Sequence, residues 1–383
     1  MRKLIFISFI LILNFGCISV NASSEIVMEI SSKRILYEKN AREKQLIAST
    51  TKIMTAIIVI ELGNENDVIE VGHEVLSMYG TNIYLEVGEK IKVKDLLYGL
   101  MLRSGNDAAI VLAKYIGGTE EQFVKLMNEK ANEIGMYDTE FHNAHGLDEL
   151  TQNFSTAYDM ALLSVYAYNN NVYRTIASTK TYKTSSDKKS YKWSNRNTLL
   201  TTYKYCTSGK NGYTPKAGKT LVTTASKNGM DTTAVTLNVS DSYNRHKELY
   251  EEIYKKYDNT LIVNKEKFII PYEYVENTLE LQNSFYYPLT SSEKKAVQTK
   301  IFVNSSAVAK DNGYVEIKLK DQTIGTIPII VKQKKEDINI FLKIKNYLLE
   351  ILNKLILGLQ NNLNPAPLVP SPLEIYKSLF PNL

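Results

Sequence analysis

The sequence predicts an α+β fold: an antiparallel sheet covered by a cluster of helices, then a small all-β domain and a C-terminal amphipathic helix. Three observations predict it. Strand-like segments stand at both ends of residues 23–257, and helix-like segments fill the middle. Short alternating β-runs dominate residues 258–335, and residues 336–360 carry one broad apolar helical face. Helices between two sets of strands favour a sheet whose first and last strands meet.

The N-terminus has the pattern of a secretory signal peptide, residues 1–22. Two basic residues precede an apolar run from Leu4 to about Phe15, and Val20-Asn21-Ala22 forms an acceptable cleavage site. An uncleaved anchor is one alternative, although the run is short for a membrane span. Lipidation of Cys17 is another, although the residues before it match a lipidation signal poorly.

The first elements follow from apolar periodicity. Glu25 to Ile30 and Arg34 to Glu38 alternate around Ser31-Ser32 and predict a β-hairpin. Thr50 to Leu62 is apolar nearly all round, which indicates a buried helix. Three further helices are predicted, the last with Thr119 as its N-cap: Val93 to Leu102, Asp107 to Tyr115 and Glu120 to Ile134.

Two strands rich in threonine, valine and alanine are predicted to complete the sheet. Thr220 to Ser226 and Thr232 to Val239 flank a turn, Lys227-Asn228-Gly229, which is typical of an antiparallel hairpin. A helix from Arg245 to Lys256 ends this domain. The β-runs predicted in the next domain are Phe268 to Ile270, Lys300 to Val303, Tyr314 to Leu319 and Thr326 to Val331.

The C-terminal helix is predicted within residues 336–360. Apolar side chains between Ile340 and Leu359 share a broad face, and charges recur too often for a membrane-spanning helix. We therefore expect a helix that lies in the membrane interface; packing on the β-domain or on a partner is the alternative. Residues 361–383 are a Pro-rich tail with no predicted structure.

Charge and cysteine content restrict the function classes. The formal net charge of +5 is too mild to indicate a nucleic-acid partner. The two cysteines are Cys17 and Cys206, and removal of Cys17 with the signal peptide leaves no internal disulfide. An exported protein without disulfides suggests a bacterial envelope. Cys206 has no neighbouring His/Asp pattern and is interpreted as a structural thiol.

The main candidate for chemistry is Ser49-Thr50-Thr51-Lys52, at the start of the buried helix. A serine hydroxyl needs a base within hydrogen-bond reach, and residues i and i+3 lie on one helical face. The free N–H groups of a helix N-terminus can stabilise an oxyanion. This stretch therefore offers the nucleophile Ser49, the base Lys52 and part of an oxyanion hole, although an N-capping serine beside a solvated lysine is the ordinary interpretation.

Two further motifs have the character that such a site requires. Ser104-Gly105-Asn106 lies between two helices, where a hydroxyl can relay a proton and an amide can hold a substrate amide. Lys210-Asn211-Gly212 lies at a predicted sheet edge, where a lysine recognises a carboxylate and a glycine lets a ligand approach. Each motif alone also fits an ordinary polar turn.

Together these motifs resemble the serine D-alanyl-D-alanine carboxypeptidases, the low-molecular-mass penicillin-binding proteins, over roughly residues 24–335. The resemblance extends from the three motifs to further segments of the sequence. These segments are Ala48 to Ala56, Asn143-Ala144-His145-Gly146-Leu147-Asp148, Ser155 to Ala161, Asn195-Arg196-Asn197 with Leu199-Leu200, and Gly209 to Thr214 with Ala217-Gly218.

The resemblance implies a role for each matching residue. Ser49 is expected to attack the bond between the two terminal D-alanines of a peptidoglycan stem peptide, with Lys52 as base and Ser104 as proton relay. Penicillins are expected to acylate Ser49, and no metal or organic cofactor is expected. The implied substrate-binding residues are Asn106, Arg196, Lys210, Asn211, Gly212 and Tyr213, with the N–H groups of Ser49 and Tyr213 as oxyanion hole. The implied location is the outer face of a bacterial cytoplasmic membrane.

Asn211 departs from the family, whose third motif is Lys-Thr-Gly or Lys-Ser-Gly. An Asn amide can donate a hydrogen bond but is longer than a hydroxyl, so altered efficiency or β-lactam affinity is expected. Two alternatives stay open. A catalytically impaired wall-binding homologue is favoured by Asn211 alone, and a β-lactamase by the loose Glu…Asn pattern of Glu149 to Asn153. Endopeptidase action on cross-links is a further possibility within the family.

Overall fold

The computed structural model describes residues 23–270, 277–303, 313–333, 344–345 and 347–352. The strands in chain order are β1 (Ser24–Glu29), β2 (Ile35–Lys39), β3 (Gln45–Leu46), β4 (Val68–Glu70), β5 (Lys90–Lys92), β6 (Phe154–Ser155), β7 (Thr181–Ser185), β8 (Ser190–Ser194), β9 (Cys206–Thr214), β10 (Gly218–Lys227), β11 (Met230–Leu237), β12 (Asp258–Val263), β13 (Asn277–Leu281), β14 (Phe285–Leu289), β15 (Val297–Val303), β16 (Gly313–Leu319) and β17 (Gln322–Gln333). The α-helices are α1 (Lys52–Leu62), α2 (Val93–Tyr98), α3 (Asn106–Gly117), α4 (Glu120–Ile134), α5 (Ala157–Tyr168), α6 (Asn171–Ser178), α7 (Leu199–Thr202) and α8 (Ser242–Lys256).

The first unit is organised by a five-stranded antiparallel sheet with the order β2–β1–β11–β10–β9. The predicted meeting of the first and last strands is confirmed, because Ser24 lies opposite Leu237 and Glu29 opposite Thr232. The β10–β11 hairpin turns at Asn228 and Gly229, which both have positive φ as such turns require. Strand β9 forms one edge of the sheet and carries the Lys210 motif.

Helices cover one face of this sheet. Helix α1 is buried from Lys52 to Val59 and packs against α3, α4 and α5. Helix α4 has the predicted bounds, and the Thr119 side chain accepts a hydrogen bond from the Gln122 N–H at 3.2 Å, so the predicted N-cap is confirmed. Helix α8 covers the opposite face and packs on β10 and β11.

The predicted helix from Val93 to Leu102 differs in the structure. Helix α2 ends at Tyr98, and Gly99–Arg103 continues as a π-helical turn. A Cβ added at Gly99 would lie 2.7 Å from Ile83 Cδ1, so glycine lets the Ile83 side chain pack closely on this turn. The π-turn delivers the chain to Ser104, which has a left-handed backbone with φ of 67°. Turns of this kind are frequent at functional sites.

The compact first unit extends beyond the predicted domain boundary at residue 257. It includes β12 and Phe285–Val297, so the antiparallel β12–β14 pair belongs to it. Arg34 holds this pair: its guanidinium lies between the rings of Tyr257 and Tyr287 and forms an ion pair with Glu293 at 2.5 Å. As a division into functional domains, the boundary stays a prediction.

The second unit contains the described residues within 264–284 and from Gln298 onward. Its described core is a four-stranded sheet with the order β13–β17–β16–β15, with Val315, Ile317, Ile327 and Ile329 buried. The β-runs predicted around residues 300–303, 314–319 and 326–331 are confirmed. The run predicted at 268–270 is wrong, because these residues form no strand.

Only part of the C-terminal amphipathic helix lies within the described residues. Residues 344–345 and 347–352 are helical, and the apolar side chains of Ile344, Leu348, Leu349 and Leu352 are exposed there. Among the described helices, none is both long enough and apolar enough to cross a bilayer. The predicted signal peptide, residues 1–22, and the Pro-rich tail, residues 361–383, lie outside the described residues.

Candidate active site

Ser49 and Lys52 lie at the junction between a short 3₁₀ turn, Ala48–Thr51, and helix α1. This junction keeps both side chains on one face, as their i, i+3 spacing requires. Lys52 Nζ lies 3.1 Å from Ser49 Oγ, within hydrogen-bond distance. Lys52 is fully buried, whereas Ser49 is partly exposed. The arrangement gives a reachable hydroxyl a buried amine partner.

The backbone before Ser49 is unusual. Ala48 has a φ of 47°, a left-handed conformation that residues with a Cβ seldom adopt. Gly146, with a φ of 83°, lies against it, and a Cβ at Gly146 would be 2.0 Å from the Ala48 carbonyl oxygen. The loop that contains Gly146 therefore fits against Ala48, the residue before Ser49, only with glycine. Strained backbone of this kind is common where a side chain is held for function.

Three polar atoms surround the Lys52 amine. Its other two neighbours are Asn106 Oδ1 at 2.7 Å and the His145 carbonyl oxygen at 2.6 Å. Burial, together with the charges of Lys210 and Arg196, lowers the pKa of Lys52 well below its ordinary value of 10.5. A neutral amine has two hydrogens and one lone pair. The two carbonyl acceptors can take the hydrogens and leave the lone pair for the Ser49 hydroxyl.

Ser104 and Asn106 lie on either side of the entry to helix α3. Among the described residues, the Ser104 hydroxyl oxygen is the one buried side-chain nitrogen or oxygen that has no hydrogen-bond partner. Asn106 is also buried: its Oδ1 accepts from Lys52, and its Nδ2 donates to the Tyr79 carbonyl oxygen at 2.7 Å. The Asn106 amide is thus fixed in one orientation, while the Ser104 hydroxyl is unengaged.

The carboxylate of Asp107 supports this region, and sequence reasoning did not identify it. It accepts hydrogen bonds from the N–H groups of Ile83 and Leu85 at about 3.0 Å and from that of Ala108 at 2.9 Å. The carboxylate thereby ties the loop after Met78 to the N-terminus of α3. A sequence signal did exist, since an acidic residue in the first helical turn is a common capping feature.

Lys210 lies on the edge strand β9, and its side chain is only 1% exposed. Burial, with a smaller effect from Arg196, lowers its pKa to about 7. Its Nζ donates to the Asn211 carbonyl oxygen at 2.7 Å. Arg196 is exposed and donates to Thr81 Oγ1 at 3.1 Å. The charges of Lys210 and Arg196 both act on Lys52, so the structure brings the first and third motifs together.

Gly212 lets strand β9 lie close to the Ala48–Thr51 turn that contains Ser49. A Cβ at Gly212 would lie 2.7 Å from the Ser49 backbone nitrogen and 2.5 Å from Thr220 Oγ1. Asn211 is half-buried, and Tyr213 is 64% exposed. The predicted substrate-binding residues on β9 therefore border the Ser49–Lys52 pair, and Tyr213 presents its side chain to solvent.

The loop from Asn143 to Asp148 connects the two halves of the site. Its His145 carbonyl contacts Lys52. Asp148 accepts a hydrogen bond from the Thr214 hydroxyl at the end of β9, and its carbonyl accepts one from Lys216 Nζ at 2.8 Å. Burial and the Lys52 charge lower the pKa of His145 to about 3, so its imidazole is neutral. The sequence resemblance included this loop, but it did not predict that a backbone carbonyl of the loop contacts Lys52.

The structure also places three residues that the sequence analysis singled out beside the main motifs: Glu149, Asn153 and Cys206. Glu149 is exposed, and burial and the Glu149 carboxylate raise the pKa of Tyr79. Asn153 is buried and donates to Thr51 Oγ1 at 3.0 Å, which supports the nucleophile helix. Burial raises the pKa of the Cys206 thiol to about 12. Over the described ranges, no cluster of three His, Cys, Asp or Glu side chains could hold a metal ion.

Comparisons with known proteins agree with this geometry. The family model described as D-alanyl-D-alanine carboxypeptidase matches residues 15–241. The chain is 31% identical over 319 residues to the D-alanyl-D-alanine carboxypeptidase DacF of Bacillus subtilis, covering 80% of this chain and 78% of DacF. The crystal structure of DacD from Francisella tularensis has a TM-score of 0.63 at 27% identity, covering 81% of this chain and 94% of that one. Penicillin-binding protein 6B of Escherichia coli has a TM-score of 0.64 at 26% identity, covering 80% and 93%.

The sheet, the helical cluster and the Ser–Lys pair with its buried lysine define a serine hydrolase of the penicillin-binding type. The chain belongs to the D-alanyl-D-alanine carboxypeptidase family. It is a serine-type carboxypeptidase of the bacterial cell wall, as the matching family and relatives establish. The family acts on peptidoglycan peptides that end in D-Ala-D-Ala and binds β-lactams in general. These findings favour neither the β-lactamase nor the impaired wall-binding homologue.

Proposed function

We propose that Ser49 is the nucleophile of this carboxypeptidase and that Lys52 is its general base. The observation that carries the proposal is the 3.1 Å separation of Lys52 Nζ and Ser49 Oγ, with the amine fully buried. Lys52 acts in its neutral form, which its lowered pKa favours. It accepts the Ser49 proton as the oxygen attacks the carbonyl carbon between the two terminal D-alanines.

Proton transfer to the leaving group completes acylation. The C–N bond of the tetrahedral intermediate breaks, and the departing D-alanine amine takes up the proton that Lys52 received. Ser104 relays this proton, a role supported by its buried and unengaged hydroxyl. Water then attacks the acyl-serine ester, its proton passes to the same base, and the ester C–O bond breaks to regenerate Ser49. The net reaction hydrolyses one peptide bond and needs no cofactor.

The developing oxyanion is stabilised by two backbone N–H groups, those of Ser49 and Tyr213. The close approach of β9 to the Ser49 nitrogen at Gly212 supports this assignment. Preorganised N–H donors in a site that excludes water are among the strongest sources of transition-state stabilisation.

The substrate lies along the exposed edge of β9, where an extended peptide can add as a further strand. Its terminal carboxylate is bound by Lys210 in the protonated form, with Arg196 contributing positive charge and Asn211 contributing an amide donor. Asn106 holds the scissile amide. A penicillin presents a carboxylate and a reactive carbonyl to the same groups, and it acylates Ser49.

The enzyme is proposed to work at the outer face of the cytoplasmic membrane, with no nucleic-acid partner. The predicted signal peptide and the apolar face of the predicted C-terminal helix support this location. Truncation before Asp337 is expected to leave activity in solution and to release the protein from membranes. Continued membrane attachment of the truncated protein would contradict the anchor.

The nucleophile is tested by intact-mass measurement after incubation with a penicillin, with Ser49→Ala as the control. A stable adduct that is lost in the control is the expected result, together with D-alanine release from a D-Ala-D-Ala peptide by the unmodified enzyme. If no adduct forms and the penicillin stays intact, the result would favour an impaired wall-binding homologue. If no adduct remains and the penicillin is consumed, the result would favour a β-lactamase.

A further inference from the structure

The β7–β8 hairpin contains an unusual concentration of positive charge. Residues 180–196 contain five lysines, one arginine and a single carboxylate, Asp187. Their excess of positive charge equals the formal net charge of the whole chain, +5. The rest of the sequence is therefore balanced in charge, and this hairpin region carries the imbalance.

The two faces of the hairpin differ completely. Tyr182, Tyr191 and Trp193 point inward, and Tyr182 stacks on Tyr98 with ring centroids 3.6 Å apart. The outward positions are all exposed and hold lysine and hydroxyl side chains alone: Thr181, Lys183, Ser185, Ser190, Lys192 and Ser194. These six residues are termed the outward hairpin face below.

A like-charge pair lies at the centre of the outward hairpin face. Lys183 is directly opposite Lys192 in the antiparallel register. Opposed like charges destabilise a strand pair, because the two Cβ atoms are only about 5 Å apart. Lys189, in the turn, forms an ion pair with Glu86. Lys183 and Lys192 have no ion pair among the described residues. Both ammonium groups are therefore available to an anion from outside the protein.

We propose that the outward hairpin face binds a linear phosphodiester polymer. Side chains on one face recur about every 6.8 Å along a strand. The cross-strand pairs of this face are two hydroxyls, two ammonium groups and two hydroxyls, and they form three successive rungs of hydrogen-bond donors: Thr181 with Ser194, Lys183 with Lys192, and Ser185 with Ser190. An extended polyanion can occupy all three rungs, whereas a single small anion contacts one of them. Lysine binds phosphate as a compact point charge, and planar carboxylates are better matched by arginine.

The character of this face argues against other anionic partners. It presents no apolar side chain that could insert into a bilayer, so a membrane is a poorer match. Its aromatic rings point inward, so it offers no stacking platform for nucleotide bases. The partner is therefore a polymer of phosphodiesters without bases, and its binding would keep the enzyme within an anionic matrix independently of catalysis.

The test measures binding of a fluorescent poly(glycerol phosphate) to the full-length protein by anisotropy at several salt concentrations. The double variant Lys183→Gln/Lys192→Gln is expected to bind about tenfold more weakly or worse and to show a shallower salt dependence. Lys183→Arg/Lys192→Arg retains charge and should retain most of the binding. Lys125→Gln/Lys255→Gln, at exposed sites on α4 and α8, removes the same charge and should have little effect.

All variants should release D-alanine from a soluble peptide at the rate of the unmodified enzyme, which shows that they fold. An equal loss of polymer binding in the Lys125/Lys255 variant would overturn the proposal, since it would reveal unspecific attraction. Undiminished binding in the Lys183/Lys192 variant would also overturn it. Tighter binding of polyglutamate or of anionic vesicles would assign this face to a different partner and contradict the proposal.

Discussion

The backbone carbonyl of His145 accepts a hydrogen bond from Lys52 Nζ at 2.6 Å, although the two residues lie on different segments. With Asn106 Oδ1, this carbonyl can accept both hydrogens of a neutral amine and leave its lone pair for Ser49. The proposed base is therefore oriented by a loop backbone and an amide. Neither acceptor is a carboxylate that would favour the ammonium form.

Acylation should weaken as the pH falls, because protonation of Lys52 removes the lone pair that accepts the Ser49 proton. Burial and the Lys210 charge lower the pKa of Lys52, so the neutral form persists well below its ordinary value of 10.5. The first-order acylation rate at saturating penicillin, which leaves out the effect of Lys210 on binding, should rise with pH through the pKa of Lys52 in the enzyme–penicillin complex. Lys52→Arg cannot be deprotonated and should lose about 10³-fold or more. A fully active Lys52→Arg would contradict this role.

Substrate affinity should have the opposite pH dependence. Lys210 is proposed to bind the terminal carboxylate as a cation, and burial lowers its pKa to about 7, so the charged fraction falls as pH rises through that value. KM for a D-Ala-D-Ala peptide should therefore increase above about pH 7, with a smaller change in kcat. A peptide ending in D-alaninamide lacks the carboxylate and provides the control. The same rise in KM for this amide would assign the effect to another group.

Asn211→Thr should improve the enzyme. It restores the hydroxyl donor that the family has between Lys210 and Gly212, in a residue that is shorter than asparagine. The better-placed hydroxyl should recover part of the about 1.5–3 kcal/mol that a hydrogen bond to a charged carboxylate is worth, so kcat/KM and penicillin acylation should each rise by roughly tenfold. Asn211→Val has the shape of threonine without the hydroxyl and should show no gain. Equal gains from Thr and Val would mean that side-chain size, and not hydrogen bonding, limits the site.

Gly212→Ala should abolish acylation with only modest loss of stability. The new methyl would lie 2.7 Å from the Ser49 nitrogen, which forces β9 away from the proposed oxyanion hole. Loss of one oxyanion donor costs about 10²–10³-fold in rate. Gly118→Ala is the matched control, since its Cβ meets no atom within 4 Å while its φ of 72° still strains the backbone. It should lose about 1 kcal/mol of unfolding free energy in urea and keep full activity. Full activity in Gly212→Ala would contradict the proposed position of the oxyanion.

Helical periodicity predicted the larger elements because their apolar faces are long and regular. Helix α4 has the predicted bounds, and the predicted pairing of the first and last strands is present as β1 with β11. The π-turn at Gly99–Arg103 was missed, because its sequence continues the apolar run of α2. Strand β9 was not among the predicted strands, since its polar Cys206–Thr214 sequence has no alternating apolar side chains, although its Lys210 motif was placed at a sheet edge.

The candidate site was predictable where motifs specify side chains and unpredictable where backbone atoms act. Ser49, Lys52, Ser104, Asn106 and Lys210 all occur in short motifs that the sequence displays directly. The carbonyls of His145 and Tyr79 contribute no side-chain chemistry, so no residue type marks them. The pairing of Asp107 with the N–H groups of Ile83 and Leu85 depends on a loop path that only the fold determines.

The central position of β1 limits the order in which the molecule can assemble. Ser24 pairs with Leu237, so the middle of the sheet joins the two ends of the catalytic unit. Such distant pairings close large loops and slow folding. A nascent chain that has not yet reached β11 cannot complete the sheet, because β11 is the strand that joins β10 and the Lys210 strand to β1. Catalytic competence therefore arises late, when nearly the whole unit has been synthesised, and partial chains are inactive.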